Sequence, residues 1–246
     1  MVLPIWIPAA IAGALVNRYN ARRALRHKNG TKLHGAAWLG LPILLVTAEA
    51  ASPPAWETVS VSREVKINAG SNVIWPLLVQ VSRISSREGR PNLTQDVLGV
   101  PRPTDATIVI RNDKLIRVAH WGTGLCFEEE ITHIRPGQSL RWHFRFPNRS
   151  IQRYTDQHIA PDGPVLQIAD GAYELLPTAT GQTRLRLTTT YQMRTRMGGN
   201  LRVWGDKLLG DVQDNVLAII KDRAESPTHA RVRPAWRSLP ALPLPS

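Results

Sequence analysis

GTGLCFEEEITHIRPGQSLRWHFRF, residues Gly122–Phe146, is the stretch on which the fold turns. From Leu125 to Ile134 a period of two puts Leu125, Phe127, Glu129, Ile131 and His133 on one face, with Cys126, Glu128, Glu130, Thr132 and Ile134 on the other. Pro136 and Gly137 supply a turn. On the return, Leu140, Trp142, Phe144 and Phe146 share a face while Arg141, His143 and Arg145 point away. The expected product is the middle hairpin of a curved antiparallel sheet. Its concave side is apolar and aromatic, with Glu129 and His133 set into it, and such a lining predicts a pocket more than a packed core.

The flanking sequence extends the same sheet. Upstream, Thr58–Ile67 alternates as a first strand, and Asn68–Ser71 offers turn and cap residues. Val73, Ile74, Trp75, Leu77, Leu78, Val81 and Ile84 then follow a helical spacing, with Pro76 near its start. Ser85–Asp105 is polar and turn-rich and reads as a loop with at most a short helix. Ala106–Ile110 and Leu115–Trp121 are strands separated by a turn. Downstream, Val165–Ile168, Gly171–Leu176 and Thr183–Met193 continue the sheet, with Leu185, Leu187, Thr189, Tyr191 and Met193 on the concave side. From Leu201 the period changes to that of a long amphipathic helix, ended by Glu225-Ser226-Pro227. Prolines crowd residues 227–246, a tail without a packed element.

The first 51 residues are of another kind. Val2–Val16 and Leu33–Ala48 are apolar runs without Asp, Glu, Lys or Arg, each shorter than the roughly twenty residues that span a bilayer comfortably. Between them lies a connector holding Arg18, Arg22, Arg23, Arg26, Lys28 and Lys32 with no acid. Trp6 and Trp38 are placed as interfacial anchors. The expectation is an apolar helical hairpin in a membrane, its basic connector cytoplasmic and everything after Ala50 on the far side, which in a bacterial inner membrane is the periplasm. A second reading takes Arg22–Lys32 and Ala36–Val46 as the parts of an export signal cleaved near Ala48-Glu49-Ala50. Residues 52–58 are a linker, and residues 59–226 form the domain.

Composition narrows the partners. The chain carries 31 Lys and Arg against 19 Asp and Glu, a net charge of +12. Beyond residue 52 there remain 25 basic and 18 acidic residues, interspersed and without a Lys-rich run, so nucleic acid is not the expected partner. Attraction to anionic lipid headgroups fits the excess better. A single cysteine, Cys126, excludes an intramolecular disulfide, and the seven histidines show no metal-ligand spacing. No cofactor motif is present.

Several residues also carry a family look. Trp75-Pro76-Leu77-Leu78, Gly122 and Gly124 ahead of Phe127-x-Glu129-x-Ile131-Thr132, Pro136-Gly137, Gly181-x-Thr183-Arg184-Leu185 and Trp204 resemble the polyketide cyclase/START-like (SRPBCC, Bet v 1-like) superfamily over roughly Val59–Glu225. The resemblance implies an α+β helix-grip fold, in which the last helix lies across a curved sheet and a ligand sits between. The superfamily includes cyclases, hydrolases, lipid carriers and simple ligand binders, so fold is implied more strongly than activity. The N-terminal apolar hairpin lies outside its pattern.

Three functions follow as expectations. The first is membrane-tethered binding of a hydrophobic small molecule or lipid, with Trp121, Phe127, Glu129, Trp142, Phe144, Tyr191 and Trp204 lining the site. The second is a cyclase- or dehydratase-like enzyme in which Glu129, with His133 or Tyr191, moves protons. A carboxyl at Glu129 would lose hydration, which disfavours its charged form, unless an inward Arg or His133 pairs with it. The third is a partner-binding domain with a filled interior. Asp156 and His158 in a polar loop lack a third partner, and Ser139 and Ser150 lack the context of a nucleophile.

Overall fold

The structure is a computed structural model that describes residues 55–147, 151, 161–178, 181–194 and 198–226, with side chains of the last stretch from residue 202. The apolar runs before residue 49, Ser150, Asp156, His158 and the proline-rich tail lie outside the described residues.

The elements follow in the order β1 (Trp56–Ile67), α1 (Ser71–Val79), a short helical turn (Leu93–Val97), β2 (Pro103–Arg111), β3 (Lys114–Trp121), β4 (Leu125–Arg135), β5 (Ser139–Arg145), β6 (Leu166–Pro177), β7 (Thr183–Arg194) and α2 (Gly198–Glu225). The strands form one curved antiparallel sheet in the order β1-β7-β6-β5-β4-β3-β2. One pole of the sheet therefore holds the starts of β1, β2, β4 and β6 and the ends of β3, β5 and β7. The α+β architecture, with a long last helix against the sheet, is the order the helix-grip arrangement requires.

Two departures from simple periodicity have local causes. The helical spacing over residues 73–84 predicts a longer α1, but the helix stops at Val79 because Val81 leaves it to pair with β2. Its N–H donates to the Ala106 carbonyl at 2.9 Å, and the Ala106 N–H returns a bond at 2.6 Å. In β6 the two short strands expected from the sequence are one, joined through a bulge between Ile168 and Asp170.

Apolar side chains from β1, α1, β5, β6, β7 and α2 make the main core, with Ile67, Ile74, Leu78, Leu140 and Leu185 fully buried. The outer face is laced instead by cross-strand ion pairs. Glu130 reaches Lys114 at 2.7 Å and Arg145 at 2.5 Å, and Arg186 joins Glu64 at 2.5 Å and Glu174 at 3.2 Å.

Helix α2 runs alongside β1 in the same direction. Gln213 Nε2 donates to the Val61 carbonyl at 3.1 Å, Lys221 Nζ to that of Lys66 at 2.6 Å, and the Asn68 N–H to the Glu225 carboxylate at 2.7 Å. The sequence reads α2 as amphipathic, with its polar side in water. In the structure Asp211, Asn215 and Arg223 on that side are buried as well. The segment from Ser82 to Gln95 crosses them as a strap: Arg223 pairs with Glu88 at 2.6 Å, Asn215 Nδ2 donates to Gln95 Oε1 at 2.7 Å, and Thr94 Oγ1 donates to Asp211 at 3.0 Å. These bonds replace the water that burial removes. Gly89 makes the close passage possible, because it sits at φ +85° and a Cβ there would fall 2.0 Å from Asn215 Oδ1.

Candidate functional site

The site is built on the facing centres of β3 and β4. Arg117 and Glu129 are register partners, both turned to the concave side and each 5% exposed. Alternation puts Arg117 on the face of Leu115, Ala119 and Trp121, so an arginine enters the interior on a strand that is otherwise apolar there. Its Nε donates to Glu129 Oε2 and its Nη1 to the carbonyl of Leu78 at the end of α1. The guanidinium carbon lies 4.9 Å from the centroid of the Trp142 ring and 5.5 Å from that of Tyr173. Burial works against the Arg117 charge, yet the Glu129 carboxylate and the Tyr173 hydroxyl outweigh it and hold the guanidinium above its ordinary pKa. Burial also pushes the Tyr173 phenol up.

Aromatic rings surround this pair in a chain across four strands. Trp121 and Phe127 are 5.6 Å apart, Phe127 and Phe144 5.9 Å, Phe144 and Trp142 5.9 Å, and Trp142 and Tyr173 5.1 Å, all within the range of favourable ring packing. Trp142 lies flat against the sheet because residue 171 is glycine: a Cβ there would be 2.2 Å from the indole.

The rings occupy most of the space that the alternation assigns to a pocket. What remains is a cavity of about 70 Å³ beneath Leu77, Val81 and Ile219, with Trp121, Phe127, Arg117, Glu129 and Tyr173 in its walls. A cavity of that size holds a few waters or one small group, well below the several hundred Å³ of a drug-sized site. A larger cleft of about 380 Å³ lies between β1, the strap and α2. Its Asp211 and Asn215 side chains are already engaged in holding the strap and Lys207. The chemistry of interest is therefore at the smaller cavity, where charge and apolar surface meet.

Of the residues the sequence singles out, Trp121, Phe127 and Glu129 line the cavity, and Trp142 and Phe144 back it. His133 does not join them. The β4–β5 register shifts between Ile131 and His133, so that Ile131 faces Trp142, Ile134 faces Leu140, and His133 pairs with the outward Arg141. One extra residue at this bulge moves His133 from the concave to the convex side. Tyr191 is concave and buried but belongs to a separate cluster with Val59, Val61 and Met193, three strands from Glu129. Trp204, on the first turns of α2, does not line the cavity.

The Tyr191 hydroxyl is buried against Gly205 and makes no hydrogen bond to a described residue. Tyr191→Phe is therefore expected to leave stability unchanged or raise it by about 1 kcal/mol, since it removes an unsatisfied polar atom. Urea unfolding reads the difference. A loss of more than about 1 kcal/mol would mean that the hydroxyl has a partner in solution.

The sequence reading did not name Arg117 or Tyr173. Both were findable by alternation: Arg117 sits two residues from Leu115 and from Ala119, and Tyr173 two from Leu175. What sequence lacked was the register that sets Arg117 opposite Glu129.

No family model matches the chain, and no curated protein matches it. Among solved structures it is similar to TTHA0849 from Thermus thermophilus, at 19% identity over 68% of this chain and 97% of that one, with a TM-score of 0.40. It is similar to norcoclaurine synthase from Thalictrum flavum at 13% identity, 70% and 89% coverage and a TM-score of 0.41. The Zhui aromatase/cyclase from a Streptomyces species gives 14% identity, 69% and 94% coverage and a TM-score of 0.37.

Proposed function

We propose that the domain binds a small, largely apolar molecule carrying one hydrogen-bond acceptor, between the sheet and α2. The observation that carries this reading is the Arg117–Glu129 pair in the wall of an otherwise apolar cavity. Two charges in such a wall cost several kcal/mol in lost hydration, which their mutual attraction only partly offsets. Beyond the hydrogen bonds to Glu129, Leu78 and Tyr173, the guanidinium, with five N–H groups, keeps further donors. With Glu129 already balancing the charge, a carbonyl or hydroxyl oxygen suits Arg117 better than a second carboxylate. Ring faces on Trp121 and Phe127 would take the apolar body. A ligand larger than the cavity requires Val81–Ile84 to swing away from β2.

The N-terminal apolar runs would tether the domain to a membrane, with the domain on the non-cytoplasmic side, and a lipid or lipid-soluble molecule is then the ligand nearest to hand. A filled interior that serves a protein partner is the second reading, favoured by the small cavity volume. The enzyme reading has less support: Glu129 is paired with Arg117, and neither His133 nor Tyr191 stands beside it.

Ala119→Leu tests the proposal, because it fills the cavity without touching the ion pair. Native mass spectrometry of the full chain is expected to show a bound apolar molecule in the parent, with occupancy at least about tenfold lower in the variant and an unchanged circular dichroism spectrum. Absence of any bound molecule in the parent, or equal occupancy in the two, would favour the filled interior.

A further inference from the structure

We infer that one pole of this domain, the one bearing Trp56, Val97, Leu98 and Val203, docks on the surface of a lipid bilayer. The inference rests on the tether proposed above and adds to it the face that meets the lipid. Large apolar side chains stand exposed at seven described positions, and five of them, Trp56, Leu93, Val97, Leu98 and Val203, gather at the pole where β1 and α2 begin. Val97 and Val203 are 71% and 70% exposed. The segment carrying Leu93, Val97 and Leu98 is held there by Thr94 on Asp211 at 3.0 Å, by Gln95 Nε2 on the Pro101 carbonyl at 3.1 Å, and by the Gly122 N–H on the Arg102 carbonyl at 2.8 Å. The other two, Ile110 and Leu176, are at the opposite pole.

The charges among these residues are largely paired: Arg202 with Glu57 at 3.1 Å, Lys207 with Asp211 at 2.6 Å, Arg102 with Asp96 at 2.8 Å, and Arg63 with Asp206 at 2.9 Å. A surface that is apolar at its tips and neutral around them suits the interface of a bilayer, where burial of apolar groups supplies the attraction. The chain itself names the occupant. Trp56 is where the N-terminal part joins the domain, and only residues 49–55 separate it from the apolar run Leu33–Ala48. Seven extended residues reach at most about 25 Å. With that run in the lipid, the connecting residues are short enough to let Trp56 meet the bilayer interface, where tryptophan is favoured. Pro103 and Trp121, in the wall of the cavity, are at the same pole, so its lipid-facing side is also the side from which a membrane-derived ligand would come. Docking needs no spanning element in the domain, and no described helix is long and apolar enough to cross a membrane.

The test uses the full chain with Cys126→Ser, so that one cysteine at a time can be placed at Val97, Val203 or Ile110 and labelled with an environment-sensitive fluorophore. Phosphatidylcholine vesicles are then added. Flotation with the vesicles, together with blue-shifted emission and about fivefold weaker quenching by aqueous iodide at positions 97 and 203 but not at 110, is the expected result. Flotation with no protection at 97 and 203, or with equal protection at 110, would overturn the docking face and leave the tether standing. Failure to float would overturn both. Ligand binding, read by Ala119→Leu, stands or falls separately.

Discussion

Arg117→Met is expected to lower the stability of the domain by about 3–5 kcal/mol, the cost of leaving one member of a buried ion pair without its partner. Glu129 would remain at 5% exposure with its counter-charge gone, and the Leu78 carbonyl would lose the donor that caps the end of α1. The Trp142 and Tyr173 rings would lose the cation that lies over both of them. The double variant Arg117→Met with Glu129→Leu separates charge from shape, because an apolar pair of similar volume is often neutral or better in such a place. It should recover most of the loss. Urea unfolding of the four members of the cycle reads the coupling directly. If the double variant is no more stable than Arg117→Met alone, the stability comes from the packing of Arg117 and not from its pairing. A double variant that is stable but no longer binds the apolar molecule would locate the use of the charges in recognition.

Trp142→Ala should have a comparable effect, about 3–5 kcal/mol, since it empties the centre of the aromatic chain. Trp142 is 2% exposed and touches Phe144, Tyr173 and the Arg117 guanidinium at ring distances of 5.9, 5.1 and 4.9 Å. The same packing can be disturbed from the other side. Gly171→Ala pushes a methyl to within 2.2 Å of the indole, a contact that must displace the ring and with it the guanidinium. A cost of about 1–3 kcal/mol is expected from such overpacking. Thermal unfolding of the two variants should rank them in that order. Were Gly171→Ala neutral, the indole would have room to move, and the cavity beside Arg117 would be larger in solution than its volume here.

Much of this fold was legible in one dimension. The alternation of β4, β5 and β7 assigns Phe127, Glu129, Leu140, Trp142, Leu185 and Tyr191 to the concave side, and all six are buried. The change of period after residue 200 announces α2. Alternation and helical spacing are local: they follow from where successive Cβ atoms point on a strand or a helix. Glu129 could be placed inside by that rule alone.

Which side chain it would meet there could not be read that way, because register is a property of two strands at once. Only the pairing of β3 with β4 sets Arg117 across from Glu129 and turns a lone interior carboxyl into half of an ion pair. The bulge after Ile131 has the same character. A single unpaired residue reverses every side chain beyond it, and the partner strand decides where that residue falls, so His133 points outward although the local pattern points it in. The polar side of α2 looks solvated in sequence, and it is buried because a strap more than a hundred residues earlier in the chain crosses it. The volume left inside also depends on how Trp142, Phe144 and Tyr173 fit against one another. The sequence by itself determined which side chains face inward; tertiary structure decided whom they meet there, because facing is set within a strand and meeting is set between strands.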